Sequence, residues 1–334
     1  MSIVSQRRHR YRWVAVIAVV ATMSIAANGV AAPGSRWLPF RWVAAEMGGQ
    51  RLERAAILVP VKLRDLPGDQ WFQLDLGATR NSLHGAAVRE ISASFPLPAG
   101  GTTVSGEVAG VVVENEPADI LGGFRAMVGP GQPMPAIGTL GLSFFAHRVL
   151  VLDYPNQRFM VLREDEGLPA SLEAHATFVA AVNRNGKLYV PIEIGGTVET
   201  GFFLDTGASA FVLMTSSDEW RRLTGRRGDE SSNSRLSVPS WDDTIPLVGA
   251  PMHESVSIGP ATHEHATIWY ASDERFSFRA WPATKGLIGN ELFAGGFVVI
   301  VDMPRGRFGI ARTESAQPNK RLHPSAARAG RGRG

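Results

Sequence analysis

The 334-residue sequence contains no cysteine. That excludes disulfides, a lipid-modified cysteine and any thiolate nucleophile or ligand. It also lacks a glycine-rich phosphate loop, a G-x-S-x-G nucleophile elbow and an H-E-x-x-H pair. Those chemistries therefore have no anchor in this chain. A basic core is missing as well. The net charge is +3, but Arg7, Arg8, Arg10 and Arg12 crowd one end and Lys320, Arg321, Arg328, Arg331 and Arg333 the other. The middle has no excess of basic residues, so there is no nucleic-acid footprint.

What is present at the start is an export pattern. A basic head, "RRHRYR", precedes an apolar run from Trp13 to Ala27, and small residues follow in "ANGVAAPGS". Residues 1–32 read as a signal peptide with cleavage after Ala31. The alternative is an uncleaved anchor, because Trp13 to Ala32 is nearly long enough to span a bilayer. The expected location is the periplasm or the exterior, or else the inner membrane facing the periplasm. From Thr313 the chain has almost no large apolar residues and reads as a disordered basic tail, 313–334. Without cysteine, an exported protein must take its stability from its core.

Between these ends the chain repeats itself. "ILVPVKLRDLPGDQWFQLDLGATRNSL" begins at Ile57, and "LYVPIEIGGTVETGFFLDTGASAFVL" begins at Leu188. Each holds a Val-Pro pair (Val59-Pro60, Val190-Pro191), a turn, a second apolar strand and an Asp-x-Gly-Ala corner at Asp75 or Asp205. Further on, "GTLGLSFFAHRVLVLDYPNQRFMVL" from Gly138 matches "GLIGNELFAGGFVVIVDMPRGRFGI" from Gly286. Both end in a D-x-P-x-x-R-F turn, Asp153 to Phe159 and Asp302 to Phe308. A period near half the chain is a tandem duplication rather than a solenoid. The expected units are an N-terminal lobe, 33–165, and a C-terminal lobe, 175–312, joined by a polar link.

Short runs rich in Val, Ile, Leu and Phe, punctuated by Gly, Pro, Asn and Asp, predict an all-β fold. Strands are expected at Ala56 to Leu63, Gly110 to Val113, Val149 to Leu152, Leu188 to Ile194 and Gly296 to Val301. Short helices are expected at Ser143 to Phe145, Asp218 to Leu223 and Glu291 to Phe293.

The two corners carry the chemistry. Each Asp ends a buried strand, and Gly77 and Gly207 let the backbone come close where a side chain would clash. A two-fold relation between the lobes brings Asp75 and Asp205 face to face. Two carboxyls in one site cannot both ionise easily, so the pair holds one proton. The ionised member takes a proton from water, and the water attacks a peptide carbonyl. The protonated member polarises that carbonyl and then donates toward the leaving nitrogen.

"LDTGAS" with "GLIGNELF", and "LDLGAT" with "GTLGLSFF", resemble the aspartic protease pattern of bacterial retropepsin-like and pepsin-like enzymes, over roughly residues 50 to 312. The resemblance implies two pseudo-two-fold-related β-barrel lobes with a central cleft and few short helices. It implies an exported aspartic endopeptidase with Asp75 and Asp205 as catalytic acids. It implies no cofactor and no metal, a polypeptide substrate in extended form, and a monomer. Thr206 would brace the base of the pair, and Thr79 and Ser209 would bond the outer carboxylate oxygens. Leu76 departs from the pattern, which has Thr or Ser there to cross-link the lobes. Losing that bond costs about 1 to 3 kcal/mol where partners go unsatisfied. The alternative reading is a non-catalytic peptide-binding protein that kept the cleft.

Covering hairpins are expected near Thr102 to Val113 and Leu236 to Val248. Trp241, in the second, is a candidate to cover the cleft and equally an ordinary exposed loop tryptophan. His263 and His265 flank Glu264 without a third metal ligand at a persuasive spacing and read as a surface strand or loop. Asp153 and Asp302 read as turn caps.

Overall fold

The duplication in the sequence is a duplication in space. The computed structural model describes residues 36–313 except 48, 99, 130, 131, 241, 242, 279, 280 and 282. The expected export segment, 1–32, all but the first residue of the expected tail, 313–334, and Trp241 lie outside the described residues. The described residues are mostly β-sheet with few helices, as the strand-like runs predict.

In the first half, Asp69–Leu74 runs parallel to Gly138–Leu140, which pairs antiparallel with Ser82–His84, which in turn runs parallel to Val111–Leu121. In the second half the same sequence of pairings recurs. Phe202–Leu204 runs parallel to Gly286–Ile288, which is antiparallel to Leu213–Thr215, which is parallel to Thr267–Ala271. These cores extend into a seven-stranded sheet, from Arg41–Met47 to Thr102–Val108, and an eight-stranded sheet, from Val182–Arg184 to Ser234–Ser240. Gln50–Leu63 also pairs with Thr102–Val108, which closes the first sheet on itself.

A six-stranded sheet joins the halves. Its order is Leu38–Pro39, Arg158–Arg163, Arg148–Asp153, Phe297–Asp302, Arg307–Arg312 and Thr177–Ala180. The seam lies at its centre, where Val149 pairs with Asp302 and Asp153 with Val298. The D-x-P-x-x-R-F turns sit at equivalent ends of two hairpins. Asp153 accepts from Arg158 Nε at 2.7 Å and Asp302 from Arg307 Nε at 2.7 Å. Gln157 (φ 47°) and Gly306 (φ 59°) occupy the same left-handed position. Both Asp residues are buried, so these ion pairs hold the turns they were expected to cap.

Alternation along the strands ending in the two corners sorts side chains into two faces. Phe72, Leu74, Phe202 and Leu204 join the main core. Phe203 turns the other way, into a second cluster with Tyr189, Met214 and Leu287.

The expected strands are present with different limits. Pro60 lies inside the long strand Gln50–Leu63, whereas its counterpart Pro191 divides Lys187–Tyr189 from Ile192–Ile194. The expected helices are Leu142–Phe145, Ser217–Thr224 and Asn290–Leu292. Further helices among the described residues, Gly85–Ile91, Ala170–His175 and Glu274–Phe276, carry no clear periodic signal because none is longer than two turns. Among the described residues, no helix is long and apolar enough to cross a membrane.

Candidate active site

Each acid stands one residue beyond the strand that carries it. The Asp75 N–H donates to Leu140 O at 3.0 Å, and the Asp205 N–H donates to Ile288 O at 2.9 Å. The chain then turns within its corner. Ala78 N–H donates to Asp75 Oδ1 at 3.0 Å; Gly207 and Ala208 N–H donate to Asp205 Oδ1 at 2.9 and 3.2 Å. These bonds fix one oxygen of each carboxyl and leave Oδ2 of each buried with no donor.

The two corners interlock. A methyl group at Gly77 would lie 2.3 Å from Asp205 Cγ, and one at Gly207 would lie 2.7 Å from Asp75 Cγ. Each glycine is therefore the floor on which the other half's acid rests. Each carboxyl thus lies against the other half's corner, close enough that the charge of Asp75 disfavours a second charge on Asp205. Two acids so placed are most easily buried with one proton between them. Both side chains are almost wholly inaccessible. Burial pushes Asp75 above the usual carboxylate range, opposed by the charge of Lys187 and the N–H of Ala78. Burial and the neighbouring Asp75 push Asp205 well above it. The pair is thus built to retain a proton where ordinary carboxyls have lost theirs.

Thr206 braces the base as expected. Its hydroxyl donates to Leu74 O at 3.0 Å and accepts from Leu76 N–H at 2.8 Å, both in the other half. Leu76 makes no return bond of this kind; its side chain is buried in the apolar core. Thr79 and Ser209 sit in the corners, but their hydroxyls go elsewhere than the acids. Thr79 Oγ1 donates to Gly186 O at 3.3 Å across the seam, and Ser209 Oγ donates to Thr206 O at 2.6 Å. Each hydroxyl thus donates to a backbone carbonyl and not to an outer carboxylate oxygen.

Several site residues escape sequence reading. Asn290 Nδ2 donates to Thr206 O (2.9 Å) and Ser209 Oγ (2.7 Å), while Tyr154 OH donates to Asn290 Oδ1 at 2.8 Å. This chain of bonds runs from the first half to the second corner. Lys187 is the larger surprise. It is buried, its ammonium donates to Gly77 O, and it lies 5.2 Å from the ring centroids of both Phe203 and Trp281. Burial lowers its pKa, while Asp205 and Asp75 hold it up. Alignment on the Val-Pro pairs places Ala56 at the equivalent position of the first half, and that mismatch was the available signal.

The faces next to the acids also differ. Cross-strand pairing puts Gln73, Thr139 and Ser82 together in the first half and Phe203, Leu287 and Met214 together in the second.

The two expected covering segments are hairpins. Thr102–Val108 and Val111–Leu121 turn at Ala109 and Gly110, both at positive φ. Ser234–Ser240 pairs with Asp243–Pro251. His263 ends the strand Ala261–His263, and His265 follows in a bend. Among the described residues no cluster of three or more His, Asp or Glu side chains suits a metal ion.

No family model matches the chain, and no curated protein matches it. Solved structures with a similar trace include the basic 7S globulin from soybean. It is 11% identical, with a TM-score of 0.41, over 83% of this chain and 94% of that one. Conglutin gamma, a basic 7S globulin from lupine seeds, is 10% identical, with a TM-score of 0.43, over 83% and 94%. Assignment to the aspartic protease family, drawn from the motifs, is therefore corrected: the neighbours in structure are basic 7S globulins. No activity follows from likeness at this level.

Proposed function

We propose that this chain binds an extended polypeptide between its halves and hydrolyses it with a water activated by Asp75 and Asp205. The observation that carries the reading is the interlocked acid pair, with one oxygen of each carboxyl fixed by backbone N–H groups and the other buried without a donor. One ionised and one protonated carboxyl supply a base for the water and an acid for the carbonyl oxygen and leaving amine. Neither step needs a cofactor or metal. The reading takes the halves, 33–165 and 175–312, as lobes in a pepsin-like arrangement with a groove between them. Export by residues 1–32, or anchoring through them, and a monomeric state belong to the same proposal.

A second reading is binding without turnover. Leu76 favours it, because it removes a hydroxyl brace from the first corner. Cleavage of an unfolded protein between pH 3 and 7 separates the two. Asp75→Asn and Asp205→Asn should each lower the rate by about 10²-fold or more. Saturable peptide binding with no cleavage by the unaltered protein at any pH would replace the first reading with the second.

A further inference from the structure

Lys187 is unusual for where it sits. Lysine is seldom fully buried without partners, and this one faces a carbonyl, two acids and two aromatic rings. Its bond to Gly77 O crosses from the second half to the first, into the same corner that lacks a hydroxyl at residue 76. Thr79 Oγ1 to Gly186 O, at 3.3 Å, crosses the same seam beside it.

We propose that Lys187 is a positioning residue of the acid pair: it ties the Gly77 corner to the second half in place of the bond that Leu76 lacks, and it holds the pair in its singly protonated state. The second role follows from counting charge. One carboxylate, one carboxylic acid and one ammonium sum to zero. Without the ammonium, the neutral state of the buried pair is the doubly protonated one, and leaving that state buries a lone charge. Removing Lys187 therefore raises the pH at which the pair gives up its first proton. Other charged groups nearby are engaged elsewhere. Arg184, on the adjoining strand, lies over the Tyr189 ring and donates to Thr200 O. Lys285 pairs with Glu199 at 2.6 Å. His84 bonds Ala136 O and Thr139 Oγ1. The charges that face Lys187 are Asp75 and Asp205.

The test reads protons directly. Full-length protein carrying ¹³C-labelled aspartate is titrated by NMR as wild type, Lys187→Gln and Lys187→Arg. In Lys187→Gln, which keeps a donor and loses the charge, the first deprotonation of the pair should rise by about one to two pH units. Lys187→Arg should stay near wild type. Titration of Lys187→Gln at the wild-type position, or of Lys187→Arg alongside Lys187→Gln, overturns the assignment. If Lys187→Gln does not fold, the double variant Leu76→Thr/Lys187→Gln supplies the missing brace and should fold with the raised titration; a wild-type titration there also overturns it. The bearing of Lys187 on turnover rests on the hydrolytic reading, in which the acid limb of the rate profile moves with the titration. A shifted titration in a protein that cleaves nothing removes hydrolysis and leaves the role of Lys187 standing.

Discussion

His84 shows how much a single side chain can go unread. In the sequence it is one polar residue in "NSLHGAAV", with nothing to mark it. In the fold it is buried, with Nδ1 at 3.1 Å from Ala136 O, Nε2 at 3.2 Å from Thr139 Oγ1, and the ring edge-on to Phe124. Burial lowers its pKa from 6.5 to about 4. The folded protein thus keeps His84 neutral while the unfolded chain protonates it. The resulting stability is complete above pH 6.5, declines as pH falls, and is spent by pH 4, a loss of about 3 kcal/mol. The acid pair works in the opposite direction over the same range, because its raised pKa favours the folded state as pH falls. Urea unfolding of wild type and His84→Gln at pH 7 and pH 4 should isolate the histidine. The gap between the two proteins should shrink toward acid, and a gap constant with pH would disprove the assignment. Asp75 and Asp205 were legible because a charge at the end of an apolar strand is costly and therefore conspicuous. Lys187 was not, since a lysine preceding a strand ordinarily reaches solvent.

Among the elements, the corners were read well and the strands only in outline. A Val-Pro pair marks both halves, yet Pro60 lies within fourteen continuous strand residues and Pro191 ends a strand of three. Sequence alone does not say which neighbour each strand will meet, and that decides whether a missing N–H matters. The corner's Thr206 was legible through the Asp-Thr-Gly motif that the second corner resembles. Its two bonds satisfy Leu74 O and Leu76 N–H, groups with no access to water. Thr206→Val keeps the shape and strands both, so the unfolding free energy should fall by about 2 to 5 kcal/mol. Thr206→Ser, which retains the hydroxyl, should lose less than half as much in the same denaturant titration. Equal losses would mean that the methyl group, rather than the hydroxyl, holds the corner. The destinations of Thr79 and Ser209 were misjudged because carbonyls brought close by Gly186 and Thr206 are visible only in three dimensions.

At the scale of the molecule, the duplication was plain in the residues, but the shared sheet was not. Val149 and Asp302 are far apart in the chain, and a strand pattern does not name its partner. Once paired, Arg148–Asp153 and Phe297–Asp302 make each half the other's missing edge. A chain nicked between 164 and 169 should accordingly elute from a sizing column as one species of unchanged size. Residues 36–168 alone, with Arg148–Asp153 unpaired along one side, should elute as oligomers; a well-behaved monomer would show the seam to be dispensable. Joining the halves covalently has one more result. Were they separate identical subunits, any change beside the axis would occur twice, and a lysine next to the acids would bring its twin to oppose it. A single polypeptide is released from that rule. It can hold Leu76 on one side with Thr206 opposite, and Ala56 on one side with Lys187 opposite. The centre can then be lopsided in charge and in bracing, which no assembly of equal copies could reproduce.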